Sequence, residues 1–301
     1  MDFVLETFGL GKRYGSSWAI QDCTLQIPAG RIVGLVGPNG AGKTTLLQLA
    51  VGLLKPTEGQ VQITGLSPSR EPQTVLQRVG FLAQNRPFYP SFTVHEMLTL
   101  GRKLNPGWDD TFARQRLEEQ GIQLGQQMGR LSGGQQAQVV LTITLAKRPQ
   151  LLLLDEPVAN LDPLARRAFH QTLLSTAAQG DLTVVLSSHL VTDLDRTCDY
   201  LIILSASRVQ VASDIEQLIE RHKWVTVPRE QVELIKHQHT VLQESRSGQM
   251  SQLLVCINGL LNPEWLVEPV SLEDIILAYL AHPTANEGRL ESRRNKQEVW
   301  Q

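Results

Sequence analysis

A glycine-rich segment early in the chain has the residue types and spacing needed to hold a nucleotide phosphate. It reads Gly37, Pro38, Asn39, Gly40, Ala41, Gly42, Lys43 and Thr44, which fits the pattern GxxxxGK[ST]. The apolar residues 32–36 before it predict a strand, and the leucine-rich stretch from Thr45 predicts a helix. In that context backbone N–H groups and the helix dipole converge on an anion. The pattern predicts that Lys43 contacts the β- and γ-phosphates of a nucleotide and that the Thr44 hydroxyl binds Mg²⁺. A glycine loop without a ligand is the alternative.

Two adjacent carboxylates follow an uninterrupted apolar run. Residues 151–154 are all leucine, which is typical of a strand buried on both faces of a parallel sheet, and Asp155 and Glu156 come next. Because α/β folds bind ligands at the carboxyl ends of their strands, both carboxylates are expected at such an edge. Asp155 is predicted to hold the Mg²⁺ shell, and Glu156 to polarise a water aimed at the γ-phosphate. A solvated acidic pair is the alternative.

A histidine follows the next apolar strand in the sequence. The stretch LTVVLSSHL, residues 182–190, predicts a buried strand that ends in Ser187, Ser188 and His189. A neighbouring strand would place His189 over the same site, where its ring could donate to the γ-phosphate. A lone histidine is more often an ordinary surface or core residue, and that alternative stays open.

A second possible anion-binding turn lies at Ser132, Gly133, Gly134 and Gln135, immediately before a long apolar segment. Its glycines leave backbone N–H groups uncovered, and Ser132 adds a hydroxyl. The same four residues also predict an ordinary helix start with Ser132 as the N-cap. We expect the turn to do both.

Composition limits the classes of function. The chain has 301 residues, 28 Lys plus Arg against 30 Asp plus Glu, and 42% hydrophobic residues. This charge balance gives no electrostatic reason to expect binding of nucleic acid. Cys23, Cys198 and Cys256 are scattered singly and predict reduced thiols. Neither a signal peptide nor a run of roughly 20 apolar residues is visible, so any link to a membrane is expected to come through a partner.

The order and spacing of five segments resemble an ABC-type ATPase subunit of a transporter. These segments are GPNGAGKTT, LSGGQ, LLLLDEP, ANLD and SSH. Gln84 matches the glutamine loop of the family, and Tyr14 matches the aromatic residue that stacks on adenine. The resemblance covers about residues 3–220 and implies that Thr45 also belongs to the ATP site and that Gln84 contacts both ATP and Mg²⁺. After LSGGQ the family usually has basic residues, but this chain has Gln136 and Gln138.

The resemblance also answers what the second turn would hold. In such ATPases two subunits face each other head to tail, and the turn at Ser132, Gly133, Gly134 and Gln135 covers the nucleotide of the partner. It therefore implies a dimer with a second ATPase subunit, either another copy or a paralogue. It further implies separate transmembrane permease subunits, a position at the cytoplasmic face of the membrane, and docking near Arg86, Phe88, Tyr89 and Pro90, although these aromatics could equally be local core.

The expected fold class is α/β: a P-loop core of ABC type with an antiparallel β subdomain, a helical subdomain and a small C-terminal α+β appendage. The expected boundaries are 1–222 for the ATPase domain, about 85–148 for its helical subdomain, 223–282 for the appendage and 283–301 for a mobile tail. TVHEMLTLGRKL and FARQRLEEQGI predict helices, with a turn at NPGWDD between them. Ser271 predicts the cap of a last helix.

That last helix and the short helical subdomain resemble ATPase subunits of bacterial ABC-2-type exporters, so export is favoured over import. The alternative within the family is an ATPase without a permease that acts on nucleic acid or ribosomes. Such a protein would be expected to show a coiled-coil insertion, tandem ATPase domains or a basic face. A phosphate-loop kinase or GTPase would have no use for LSGGQ.

Overall fold

The computed structural model describes residues 2–85, 87–178, 180, 182–188 and 191–281. The strands are β1 (Phe3–Tyr14), β2 (Ser17–Pro28), β3 (Ile32–Val36), β4 (Glu58–Ile63), β5 (Val79–Leu82), β6 (Leu151–Leu154), β7 (Thr183–Ser188), β8 (Tyr200–Ser205), β9 (Arg208–Asp214), β10 (His222–Pro228), β11 (Thr240–Ser247), β12 (Met250–Cys256) and β13 (Leu266–Pro269). The helices are α1 (Lys43–Ala50), α2 (Pro72–Arg78), α3 (Val94–Leu104), α4 (Asp110–Glu119), α5 (Gly133–Ala146), α6 (Pro163–Ala177), α7 (Val191–Asp195), α8 (Ile215–Arg221), α9 (Val232–Gln238) and α10 (Leu272–Ala281). Predictions that fall on Arg86, His189 and the tail 283–301 lie outside the described residues.

The central sheet positions the predicted site. Its strand order is β5-β6-β7-β3-β8-β9, with parallel pairing throughout except between β8 and β9. Every residue of β3, β6 and β7 is buried, which explains their nearly continuous apolar sequences. Since the three strands run in one direction, the phosphate loop, the acidic pair and the serines after LTVVL all emerge at one edge of the sheet.

An antiparallel sheet covers one side of the phosphate-loop helix. Its strand order is β2-β1-β4, and its apolar residues share a core with α1 and with one face of the central sheet. This is the antiparallel β subdomain of the predicted fold class. It brings the end of β1, with Tyr14, and the start of β2 into the neighbourhood of the phosphate loop, because the carbonyl of Ala19 in β2 lies against Gly42.

Three helices form a separate cluster after β5. α3, α4 and α5 surround a core that includes Leu98, Leu117 and Val139. α3 begins with a capping box in which Thr93 and Glu96 satisfy each other's backbone N–H groups, and Asp109 caps α4. The predicted helices in TVHEMLTLGRKL and FARQRLEEQGI are confirmed, as is the turn between them.

The C-terminal part contributes a four-stranded antiparallel sheet of order β11-β12-β10-β13, with a small core of its own. α10 leaves this sheet and packs into the main core, where Leu272, Ile275 and Ile276 are buried beside residues of the central sheet. Ser271 caps α10 as predicted, accepting from the backbone N–H of Asp274 at 3.1 Å. Within the part of the chain that the structure describes, no helix has the length and apolarity needed to cross a membrane.

A buried histidine joins α10 to the start of the appendage. His222 Nε2 lies 3.1 Å from the hydroxyl of Tyr279, and its Nδ1 lies 2.7 Å from the carbonyl oxygen of Leu218. Burial lowers the pKa of His222, which favours the neutral ring. A neutral ring can donate through Nδ1 and accept the Tyr279 hydroxyl at Nε2, so both contacts are satisfied.

Candidate nucleotide-binding site

The phosphate loop has a backbone that only glycine can form at one position. Gly42 has φ of +105°, and a Cβ there would lie 2.1 Å from the carbonyl oxygen of Ala19. Gly42 is also the N-cap of α1, and no side chain caps this helix start. The first N–H groups of α1 therefore have no capping partner from a side chain, which is the condition for an anion to bind there.

Lys43 lies folded over this loop. Its ammonium group donates to the carbonyl oxygen of Gly37 at 2.7 Å and to that of Pro38 at 3.3 Å. The same nitrogen lies 3.7 Å from Oε1 of Glu156, and the Lys43 side chain is only 4% exposed. The structure thus brings together the two halves of the site that the sequence predicted separately.

The acidic pair has a third partner, Ser187 on β7. The Ser187 hydroxyl donates to Oδ1 of Asp155 at 2.9 Å and accepts from the backbone N–H of Glu156 at 2.8 Å. Asp155 is 1% exposed, whereas Glu156 is partly exposed and has φ of +45°. Sequence reasoning named Ser187 only as a neighbour of His189. The signal it missed was a hydroxyl near the end of a buried strand, which can reach the two carboxylates only if that strand pairs with the strand before them.

The oxygen donors predicted for Mg²⁺ fit that ion chemically. Asp155 and Gln84 follow adjacent strands, since β5 and β6 pair from Val79 to Leu82 and the Asp155 N–H donates to the carbonyl of Leu82 at 2.9 Å. Thr44 is exposed in the first turn of α1, and Gln84 is exposed after β5. Few protein oxygens combined with phosphate and water oxygens are what Mg²⁺ prefers.

Tyr14 lies at the end of β1 with half of its surface exposed, 51%. The ammonium group of Lys12 is 5.4 Å from the centre of its ring. An exposed aromatic ring on a rigid strand can offer a stacking surface to a nucleobase. The predicted role of Tyr14 stays a prediction.

The second glycine turn is confirmed as a helix start. Ser132 and Gln135 form a capping box: Gln135 N–H donates to Oγ of Ser132 at 3.2 Å, and Ser132 N–H donates to Oε1 of Gln135 at 3.0 Å. Ser132 and Gly133 are exposed, while a Cβ on Gly134 would lie 2.7 Å from the Cβ of Ala165 at the start of α6. The turn is therefore rigid, and its outer side faces solvent.

The turn is not joined to the phosphate loop of its own chain. Among the described residues, no hydrogen bond or ion pair links residues 132–135 to residues 37–45. The departure from the family pattern after the turn has a structural role: Gln136 Nε2 donates to the carbonyls of Met128 and Leu131, at 3.1 Å each. Near the docking region, Phe88 packs on the helical core, and Tyr89 is exposed and stacks on Phe92.

Comparison with known proteins gives consistent matches. The family model described as ABC transporter matches residues 20–159. The chain is 32% identical over 295 residues to the Nod factor export ATP-binding protein I of Cupriavidus pinatubonensis, covering 91% of this chain and 90% of the relative. It is 28% identical over 225 residues to the bacitracin transport ATP-binding protein BcrA of Bacillus licheniformis, covering 74% of each.

A solved structure extends the match to three dimensions. It is the dimeric structure of a post-hydrolysis state of an ATP-binding cassette bound to ADP and Pi. This structure aligns with a TM-score of 0.63 at 25% sequence identity, covering 70% of this chain and 98% of that chain. The likeness therefore covers more than two thirds of this chain.

Proposed function

This chain belongs to the ABC transporter ATP-binding family, and from that premise we propose that it drives an exporter as one half of an ATP-dependent dimer. As a member of the family it binds and hydrolyses ATP. The observation that carries the proposed site is the 3.7 Å approach of Lys43 Nζ to Glu156 Oε1. This contact joins the phosphate loop to the carboxylates after β6. One site therefore contains both Lys43, which can bind phosphate, and Glu156, which can act as a base.

Each predicted residue then has a distinct task. Lys43 leaves its loop carbonyls to bind the β- and γ-phosphates, together with the backbone N–H groups of residues 37–45. Asp155, Thr44 and Gln84 would hold Mg²⁺, which would supply neutralisation of charge on the phosphates. Glu156 accepts a proton from the attacking water, and His189 donates to the γ-phosphate.

The second turn acts on a partner. Since residues 132–135 make no described hydrogen bond to their own phosphate loop, and the capping box uses only the N–H groups of Ser132 and Gln135, the N–H groups of Gly133 and Gly134 and the proton of the Ser132 hydroxyl are available to a nucleotide held by another subunit. A second copy of this chain would supply an equivalent phosphate loop and an equivalent turn, so a homodimer has two complete sites. Both sites would contain Glu156, and neither would need a paralogue for hydrolysis.

ATP hydrolysis by the dimer drives separate permease subunits in the membrane. The dimer therefore lies at the cytoplasmic face of that membrane. The surface around Tyr89 and Pro90, between β5 and α3, is the proposed point of contact. Export is supported by the relative named for Nod factor export. The near balance of 28 basic and 30 acidic residues gives no support to a function on nucleic acid, which usually needs a basic surface. The permease selects the cargo.

The test is the variant Glu156→Gln, which keeps the shape of the side chain and removes its basicity. We expect it to bind ATP as the wild type does, to lose roughly a hundredfold or more in turnover, since a general base contributes about 10²–10⁴-fold, and to accumulate as a dimer with ATP. Glu268→Gln, on exposed β13 of the appendage, is the matched control. Phosphate release and size-exclusion chromatography with light scattering provide the readouts.

Full turnover in Glu156→Gln would overturn the role of this carboxylate. A second experiment tests the transporter assignment: the chain is tagged in its host, membranes are solubilised mildly with ATP, and the co-purifying proteins are identified. A polytopic membrane protein is expected. Recovery only with ribosomes or DNA would instead favour the alternative function.

A further inference from the structure

We propose that Ser187 is a positioning residue for ATP hydrolysis, because its one hydroxyl fixes both the Asp155 carboxylate and the backbone of Glu156. This inference rests on the proposed function of the site. It assigns Ser187 no contact with the nucleotide. Its effect would come through the two acidic residues that follow β6.

Strand register explains why Ser187 reaches both residues. β6 and β7 pair in parallel, with Leu151 opposite Thr183 and Leu154 opposite Leu186. One step further along each strand, Asp155 comes level with Ser187. The sequence of either strand alone does not predict this pairing, because the pairing depends on how residues 32 positions apart are aligned across the sheet.

The Ser187 hydroxyl uses its proton and one lone pair in these two contacts, and it is buried away from water. Ser187 is 0% exposed, in a strand whose six residues are all buried. A hydroxyl has one proton to give, and here that proton goes to Oδ1 of Asp155, at 2.9 Å. One of its two lone pairs accepts a hydrogen bond from the N–H of Glu156, at 2.8 Å. The two hydrogen bonds are therefore linked, and the orientation of one sets the orientation of the other.

The backbone of Glu156 explains why such a restraint is needed. Its φ of +45° is in the left-handed region, which residues other than glycine seldom adopt. A residue stays in that region only when its surroundings hold it there. The contact from the Glu156 N–H to Ser187 is one such restraint, and it determines where the Glu156 side chain leaves the chain relative to Lys43.

The contact with Asp155 has a consequence for the metal. With Oδ1 held by Ser187, the carboxylate cannot rotate freely, and its remaining lone pairs would be presented to the predicted Mg²⁺ shell in a fixed orientation. Partners that orient a metal-holding carboxylate usually change metal affinity or activity by roughly 10–100-fold when they are removed. Ser187 would therefore affect metal binding and turnover together.

The experiment compares Ser187→Ala with Ser187→Thr, which keeps the hydroxyl, and with Ser205→Ala. Ser205 is a buried serine at the end of β8 in the same sheet, and it serves as the control for loss of a buried hydroxyl. Three quantities are measured: kcat and KM for ATP, Mn²⁺ affinity by electron paramagnetic resonance with ATP present, and unfolding in urea. Mn²⁺ titrations use a Glu156→Gln background, so that ATP is not consumed.

We expect Ser187→Ala to lower kcat by roughly 10–100-fold and to weaken Mn²⁺ binding about tenfold, with little change in KM for ATP. Ser187→Thr should retain both properties within a few-fold, and Ser205→Ala should match the wild type. If Ser187→Ala does not fold, Ser187→Cys takes its place, because a thiol has similar size but is a weaker donor and acceptor. Intermediate losses are then expected.

A folded Ser187→Ala protein with wild-type kcat and Mn²⁺ affinity would overturn the inference. So would losses that only follow the folded fraction. These outcomes differ from failure of the proposed function, which would appear as absent ATP hydrolysis in the wild type itself and would remove the basis of the inference.

Discussion

Two glycine turns in this molecule each precede a helix, and the two helix starts differ in whether a side chain caps them. At α1 the N-cap is Gly42, with no side-chain hydrogen bond to the first turn. At α5 the N-cap is Ser132, and a complete capping box with Gln135 satisfies the helix start from within the chain. Lys43 folds back onto carbonyl oxygens of the glycine turn before α1, whereas no lysine among the described residues makes such a contact with the glycine turn before α5.

The difference shows what each turn needs from outside. The turn before α1 has unsatisfied N–H groups in a tightly fitted backbone, so an anion completes it. The turn before α5 is already stable and needs no ligand to fold. Its Gly133 has no atom within 4 Å of an added Cβ, so the fold of this chain does not explain a glycine there. A partner that approaches the backbone closely would explain it.

Replacing Gly42 with alanine should have the largest effect on stability. Alanine at φ of +105° is strained, and its Cβ would lie 2.1 Å from the carbonyl oxygen of Ala19. We expect the free energy of unfolding in urea to fall by about 2–4 kcal/mol, with loss of binding of a fluorescent ATP analogue. Gly40→Ala is the control, because φ is +83° there but the space is open. It should lose only about 1–2 kcal/mol, and equal losses would mean that the contact with Ala19 is unimportant.

Replacing Gly133 with alanine should separate folding from activity. The site is open and φ is not positive, so we expect stability within about 0.5 kcal/mol of the wild type, or slightly higher, since alanine favours helices. ATP binding to the monomer should be unchanged. Turnover and ATP-dependent dimerisation should fall at least roughly tenfold, which corresponds to about 1.4 kcal/mol. Wild-type turnover and dimerisation would show that no nucleotide-bound partner approaches this turn.

The effect expected at the cap of α5 is on stability, and its free energy is smaller than the stability loss at Gly42 and the activity loss at Gly133. Ser132→Ala removes the acceptor for the Gln135 N–H, and loss of an N-cap costs about 1 kcal/mol. Ser132→Thr keeps the hydroxyl and should retain most of the stability. Urea unfolding at fixed pH measures both variants. An alanine variant as stable as the wild type would mean that water replaces the cap, and the two turns would then be less different than the structure indicates.

Local sequence predicted the features that local physics determines. The phosphate loop, the Ser132 and Ser271 caps, and the helices on either side of NPGWDD each depend on a few neighbouring residues, and the structure has them where they were expected. The roles of individual side chains in ATP binding and hydrolysis stay predictions, and His189 lies outside the described residues.

Features that depend on strand alignment were not predictable in the same way. The contacts of Ser187 need the register of β6 against β7, and the left-handed backbone of Glu156 needs the restraints around it. The approach of Lys43 to Glu156 requires the strand order that places β7 between β6 and β3. None of these is encoded in a short window of sequence.

The return of α10 to the main core has a consequence for anyone who shortens this chain. Leu272, Ile275 and Ile276 are buried there, and the hydrogen bond between Tyr279 and His222 ties α10 to β10. A truncation placed after β9, beyond the last predicted catalytic residue, would expose to water an apolar surface that α10 buries in the full chain. Shortened versions of this chain are therefore expected to aggregate unless they extend through residue 281.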